Sequence, residues 1–408
     1  MTTRRQFLAA SGGSLALLSL SGAAPGLLAR AAQAHAAEGG DRVLVMIQLS
    51  GGNDGLNTVV PYGDPEYYKN RFTLAIGKPA VIKIQDGLGF HPALSGFSKL
   101  LEAGRLAIVQ GIGYPQPNRS HFESMDIWHT ARMQNEGRAQ GWIGRYLDAT
   151  GARREAEVAG LHLGEEKQPL ALASLGAAIP SIQSMDRFRL EAGRRSDLSA
   201  DIDLAVGSAR SSSDDLLSFV QRSTSSALAA SRRVEKALAK PGSRVQYPGT
   251  GLAQKLKTVA QLIGAGLETR VYYLTLDGFD THSDQENSHA ALLGELGNAV
   301  AAFQEDLVQQ GQAERVLGVA FSEFGRRVKE NASRGTDHGA AAPLFAFGGK
   351  VQSGLIGKHP SLTDLDDGDL KFHTDFRRVY ATLLDGWLGW PSREILGGEY
   401  QPLPIMKS

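Results

Sequence analysis

The sequence has 408 residues, 43 basic and 43 acidic side chains, a formal net charge of zero and no cysteine. Disulfides, thiolate nucleophiles and cysteine-held metals are thereby excluded, so any metal must be held by Asp, Glu, His or a hydroxyl. There is no basic stripe, and nucleic acid is not an expected partner.

The first element in the chain is an address. Within residues 1–36, Arg4 and Arg5 precede Phe7 and Leu8, a mildly apolar Gly/Ala-rich run follows, and the small-residue triplet Ala34-His35-Ala36 closes it. This pattern predicts a twin-arginine signal peptide, with the export machinery as a partner and a periplasmic or secreted protein over residues 37–408. The apolar run is too short and too often interrupted by Gly and Ser to anchor in a bilayer, and no stable membrane span is expected elsewhere.

Val43 to Leu49 is a nearly continuous apolar run that ends in Gly51-Gly52-Asn53-Asp54-Gly55, as in a parallel strand buried on both faces. Residues 91–111 read as a helix, a turn at Gly104 and a second strand. Asn118-Arg119-Ser120 then opens another helix. A polar, Ser/Ala-rich stretch of helical period at about 187–245 reads as a helical insertion. The helix–strand unit returns with strand Val271 to Leu276 before the loop Gly278-Phe279-Asp280-Thr281-His282. It returns again with the strand at 316–321 before Ser322-Glu323-Phe324 and the loop Gly335-Thr336-Asp337-His338-Gly339. A strand from Ala342 and a terminal helix near 374–389 complete the chain. Helices alternating with apolar strands predict a three-layer α/β/α fold with a mostly parallel central sheet.

Ligands bind such sheets at the carboxyl ends of the strands. Asp54, Ser120, Asp280, His282, Glu323, Asp337 and His338 all fall there. Some have structural readings as well. Asp54 suits a Gly/Asn/Asp turn, and Ser120 with Glu123 fits a helix capping box. The Ser120 reading is compatible with chemistry, because a helix N-terminus presents unpaired N–H groups to an incoming anion. Arg119 beside it adds a charge-assisted contact to the same anion. Asp280 and His282 point the same way along an extended loop, with Asp277 as a competing carboxylate. His121 and His373 are expected to support ligands. His91 is read as a helix start, and His129, His289 and His359 as surface or cap residues.

Gln48 to Tyr68, Asn118 to Glu123, Gly278 to His282, Phe321 to Gly339 and Thr374 to Gly389 together resemble the DUF1501 family of twin-arginine-exported proteins, over nearly the whole of the mature chain. That family in turn resembles the alkaline phosphatase and sulfatase superfamily. The resemblance implies a central sheet with two metal positions at its strand ends and a nucleophile between them. It assigns Asp54 to the metal position nearest the first strand, Ser120 to the nucleophile, Asp280 and His282 to the other metal, Glu323 to an acid position and His338 to the final histidine. Phe324 takes the place of one imidazole, which leaves one metal position poorer in ligands. Asp337 completes a set of hard oxygen and nitrogen donors suited to one or two Zn, Mn, Mg or Ca ions. The expected function is an exported metal-dependent hydrolase of phosphate or sulfate esters, small or polymeric, using Ser120. The alternative is a metal-stabilised exported binding or structural protein without turnover.

Overall fold

The computed structural model describes residues 41–133, 137–151, 158–177, 179–182, 232–239 and 242–407. The signal segment at 1–36 lies outside the described residues, as does most of the expected insertion, of which residues 232–238 are helical.

In chain order the principal elements are β1 (Val43–Ser50), α1 (Ser95–Glu102), β2 (Leu106–Gly113), α2 (His121–Thr130), α3 (Trp142–Ala149), β3 (Gly160–Leu163) and β4 (Ser181–Ile182). They are followed by α4 (Gly251–Gly264), β5 (Val271–Asp277), α5 (Gln285–Gln309), β6 (Val316–Ser322), β7 (Ala342–Gly348), β8 (Gly354–Ile356), β9 (Thr374–Asp375) and α6 (Phe376–Ala381). Among the described residues nine strands form the main sheet in the order β8-β2-β7-β6-β1-β5-β3-β4, with β9 also paired to β2. Every pairing is parallel except those of β7, which runs antiparallel to both β2 and β6.

The side-chain period of two in a strand shows why the sheet is covered on both faces. In β1, Val43, Val45, Ile47 and Leu49 pack into one apolar cluster with residues of α1, α4 and α5, among them Phe97, Leu256 and Leu296. The alternate residues Leu44 and Met46 pack into a second cluster with Trp128, Ile143 and Tyr380. A central strand buried on both sides has no polar face, hence an apolar run broken only by Gln48, whose side-chain oxygen is bonded in the interior by His129 and Tyr273. A third and smaller cluster, including Leu56, Tyr67, Val328 and Leu370, lies among the loops beyond the sheet. No helix among the described residues is long and apolar enough to cross a membrane.

The candidate metal site

Three strands, β1, β5 and β6, lie side by side, and each runs directly into a loop that carries candidate chemistry. Gly51, at a φ of 116°, turns the chain where a Cβ would overlap the backbone of Phe279 and Asp280, so the loops after β1 and β5 touch backbone to backbone. The Phe279 N–H donates to the Ser50 carbonyl at 3.0 Å, and the Gly51 N–H donates to Glu323 Oε1 at 2.9 Å. The loop ends are thereby fixed to one another independently of any ligand.

Four side chains meet above them. Asp280 Oδ1 lies 3.0 Å from His282 Nε2, 3.1 Å from His338 Nε2 and 3.5 Å from His121 Nε2. The two nitrogens of His282 and His338 are 2.9 Å apart. One ligand atom each from His121, Asp280 and His338 lies within 4.8 Å of the other two.

The opposite ring nitrogens explain this orientation. His121 Nδ1 faces Glu323 Oε1 at 2.8 Å, His282 Nδ1 faces Asp337 Oδ1 at 3.3 Å, and His338 Nδ1 lies 2.7 Å from the Arg119 carbonyl oxygen. Each partner is an acceptor that fixes one ring nitrogen, so each ring turns its Nε2 toward Asp280. Three imidazole nitrogens and a carboxylate oxygen then face one another, and with each Nδ1 proton held from behind they form a ready set of cation donors. His121 Nε2 is also buried without a hydrogen-bond partner. Outer-partner control of the tautomer is how protein metal sites orient imidazole ligands, so this donor set fits a divalent cation. His282 and Asp280 keep 44% and 47% of their side-chain surface exposed, which leaves the cluster open to solvent.

The charges are tuned by named neighbours. Burial pushes the Asp280 carboxyl up, but hydrogen bonds from Arg326 and His338 overcome it and hold the group at about 2. The Glu323 hydrogen bond raises His121, whereas burial lowers His338 against the pull of Asp280 and the Arg119 carbonyl. The Asn331 amide, 3.1 Å from Asp337 Oδ1, is the largest influence lowering that carboxyl.

The gathering differs from the sequence expectation at several positions. Asp54 is absent from the cluster: Arg71 grips it through Nη1 at 2.5 Å and Nη2 at 3.0 Å, and Gln285 donates to it at 2.5 Å, all in the interior. Glu323 stands behind His121 and Asp337 behind His282, each using its carboxylate to hold a ring. The guanidinium of Arg119 turns to Asp369, at 2.8 and 3.0 Å, and to Asp367 at 3.0 Å, while its carbonyl holds His338. Ser120 is the exposed N-cap residue of α2; its side chain makes no capping hydrogen bond, and Glu123 pairs with Arg138 at 2.8 Å instead. Phe324 packs its ring 4.9 Å from those of both His121 and His338, walling the cluster on one side. Asp277 lines a separate cavity with His129, Glu166 and Lys255, which leaves Asp280 as the carboxylate in the cluster.

Sequence reasoning gave His121 a supporting role, although it faces the cluster directly. A histidine at the first position of a helix that follows a strand is itself the signal for such a donor. Arg71 and Arg326 were overlooked because a lone arginine in a sequence does not announce a buried carboxylate partner. His129 and His289 are buried rather than superficial. Burial pushes them down to about 3 and about 4, and they bond to Gln48 at 2.9 Å and Asn53 at 3.0 Å respectively. His373 bonds to the Lys358 carbonyl at 2.7 Å and to Thr374, and supports no member of the cluster.

A three-layer α/β/α protein with a histidine–carboxylate cluster at its strand ends is the class that fold and site define. Within that class the chain belongs to the family described as protein of unknown function (DUF1501), whose profile matches residues 41–385. No curated protein matches it. Among solved structures it is similar to the PsFucS1 sulfatase from Pseudoalteromonas sp., with 12% identity, 93% of this chain and 77% of that chain covered and a TM-score of 0.38. It is similar also to the lipoteichoic acid synthase LtaP from Listeria monocytogenes, with 8% identity, coverage of 82% and 74% and a TM-score of 0.39. A protein in the alkaline phosphatase superfamily from Vibrio parahaemolyticus shows 7% identity, coverage of 78% and 62% and a TM-score of 0.36. Likenesses this distant carry neither a residue role nor an activity to this chain.

Proposed function

We propose that this is an exported metal-dependent hydrolase of phosphate or sulfate esters, with His121, Asp280, His282 and His338 holding the cation. The single observation that carries the reading is the convergence of three imidazole Nε2 atoms on Asp280, each ring fixed from behind. A divalent cation bound there supplies positive charge that lowers the pKa of a nearby hydroxyl and offsets charge developing on the ester oxygens. Ser120 is the nucleophile in this reading. Its hydroxyl is exposed, free of any capping bond, and flanked by the residue whose carbonyl orients His338 and by His121 itself. Its place at the N-terminus of α2 favours negative charge on the attacking and transferred oxygens. His121 is held through Nδ1 by Glu323, which keeps its Nε2 turned toward Asp280. A cavity of about 710 Å³, lined by Asn118, Arg119, Asp367, Asp369 and Phe372 among others, reaches the residue before Ser120 in the chain and offers room for the rest of the ester.

The second reading, a metal-stabilised exported protein without turnover, is favoured by one observation: the Arg119 guanidinium is already neutralised by Asp367 and Asp369. One experiment decides between them. The protein loaded with Zn, Mn, Mg or Ca is offered aryl phosphate, diaryl phosphate and aryl sulfate esters, alongside Ser120→Ala. The hydrolase reading expects cleavage of one class and a loss of at least about a hundredfold in kcat for the variant. Undiminished hydrolysis by Ser120→Ala removes the nucleophile, and no cleavage of any ester under any loading removes the enzyme.

A further inference from the structure

The position that the superfamily resemblance gives to a cation beside Asp54 does not suit one here. Both Asp54 oxygens are taken, Oδ1 by Arg71 Nη2 and Oδ2 by Arg71 Nη1 and Gln285 Nε2, and both members of the ion pair are wholly buried. Gln285 is held in turn, because its Oε1 accepts from Thr281 at 3.0 Å and Thr336 at 2.6 Å. Both carboxylate oxygens are thus committed to donors within the interior.

Next to this pair lies an oxygen cage that already contains a charge. The Arg326 side chain is buried, and its nitrogens reach five oxygens from three loops. Nε donates to the Gly52 carbonyl at 2.6 Å and Nη1 to the Thr336 carbonyl at 2.6 Å. Nη2 donates to the carbonyls of Gly51 and Phe279 and to Asp280 Oδ1, the last at 2.7 Å. Backbone carbonyls and a carboxylate converging from separate loops are the donor set a hard cation such as Ca would otherwise use. Here a covalently attached guanidinium fills it. Asp280 is thus shared, with Arg326 on one side and three imidazoles on the other. A second divalent ion near the Asp54 side would have to displace Arg71 from the carboxylate it already neutralises, with the buried Arg326 guanidinium close by.

We infer that the centre takes one divalent cation, on His121, Asp280, His282 and His338, and that Arg71 and Arg326 permanently supply the positive charge that a second cation would bring. The inference rests on the cation site of the proposed function but not on any turnover. The loops after β1, β5 and β6 are then held together by a built-in cation at their base, while an exchangeable one binds at their solvent side. Glu323, which holds His121 from behind, is a positioning residue for that exchangeable ion.

The test is a count. The full chain is titrated with Zn and separately with Mn by calorimetry, and the bound metal is measured by mass spectrometry after dialysis. Crystals soaked in Zn are examined by anomalous scattering. The expected result is one ion per chain and one anomalous peak among His121, Asp280 and His338. Two ions, a peak at Asp54 or no saturable binding overturns the inference. Asp54→Asn is expected to keep the single ion, and a variant that folds but binds none overturns the inference equally. Glu323→Gln is expected to retain the count while weakening affinity by about tenfold. The outcomes separate cleanly from those of the hydrolase reading. One ion without ester cleavage leaves this inference standing and removes the enzyme, whereas two ions remove this inference and leave the enzyme untouched.

Discussion

Asp54 and Arg71 lie side by side with their side chains fully buried. A buried ion pair that loses one partner leaves an uncompensated charge in a medium that solvates it poorly, at a cost of about 3–5 kcal/mol. Arg71→Met is therefore expected to destabilise the fold by that amount, as read from urea unfolding at neutral pH; a change near zero would show that water or another cation reaches Asp54. The same pair sets an acid limit. Burial raises the Asp54 carboxyl, but Arg71 overcomes this and depresses it from 3.8 to about 2. A depressed carboxyl contributes stability above its unfolded value, here about 2 kcal/mol, and that contribution is lost as pH falls through 4 toward 2. Arg71→Met should abolish or reverse this part of the stability curve, because burial then raises the Asp54 carboxyl and protonation relieves the unpaired charge as pH falls. At this scale Asp280, His282 and His338 were legible in the sequence, because each sits in a Gly-flanked loop directly after an apolar run. Asp54 shows the limit of such legibility. Its loop looks the same as theirs, but whether a carboxylate meets a metal or an arginine depends on Arg71 and Gln285, which arrive from distant parts of the chain. His121 was hidden for a related reason: its identity as a donor depends on Glu323 turning its ring.

The loops work as elements only because they interlock. Gly335 passes so close to the backbone of His282 that a Cβ would overlap its carbonyl group. Asn331 ties the same two loops together, donating to the His282 carbonyl at 2.9 Å and to Asp337 at 3.1 Å. Gly335→Ala is expected to push the Asp337–His338 loop away from His282 and to weaken cation binding by about tenfold or more, in line with lost support for orienting partners. The core clusters do not include this loop, so the melting temperature should move little by comparison. Calorimetric titration of the variant decides the matter, and unaltered affinity would mean that the loops can part without disturbing the donors. Most strands could be read from their apolar runs, since burial on both faces leaves a plain signature. The direction of β7 could not. Ala342–Gly348 is buried throughout, like the parallel strands, but the segment after β6 folds back with Arg326 bridged to His338, so the chain re-enters the sheet antiparallel. That reversal depends on the loop, which periodicity does not describe.

At the scale of the molecule, the sheet supplies rigidity and the cluster supplies a tie across it. His121 comes from the helix after β2, Asp280 and His282 from the loop after β5, and His338 from the loop before β7; His338 and the Arg119 carbonyl it bonds are 219 residues apart. In the unfolded chain these donors are scattered, so a cation that binds them binds essentially the folded state alone. Linkage then requires stabilisation that grows with the logarithm of free metal, about 2.7 kcal/mol at a hundred times the dissociation constant. For a domain of this size that should appear as a rise of a few degrees in melting temperature on adding Zn or Mn, reversed by a chelator. His338→Ala should abolish the rise, because it removes a donor while leaving the Asp54–Arg71 pair and the hydrogen bonds of Arg326 to the loop carbonyls in place. The melting temperature of that variant without metal should stay close to that of the native chain. A native protein whose melting temperature ignores metal, or a His338→Ala protein that still responds to it, would place the cation elsewhere than at the strand ends. A response confined to the intact cluster would instead mean that the same convergence which prepares the site for chemistry also lets the bound ion tie distant segments of the fold together.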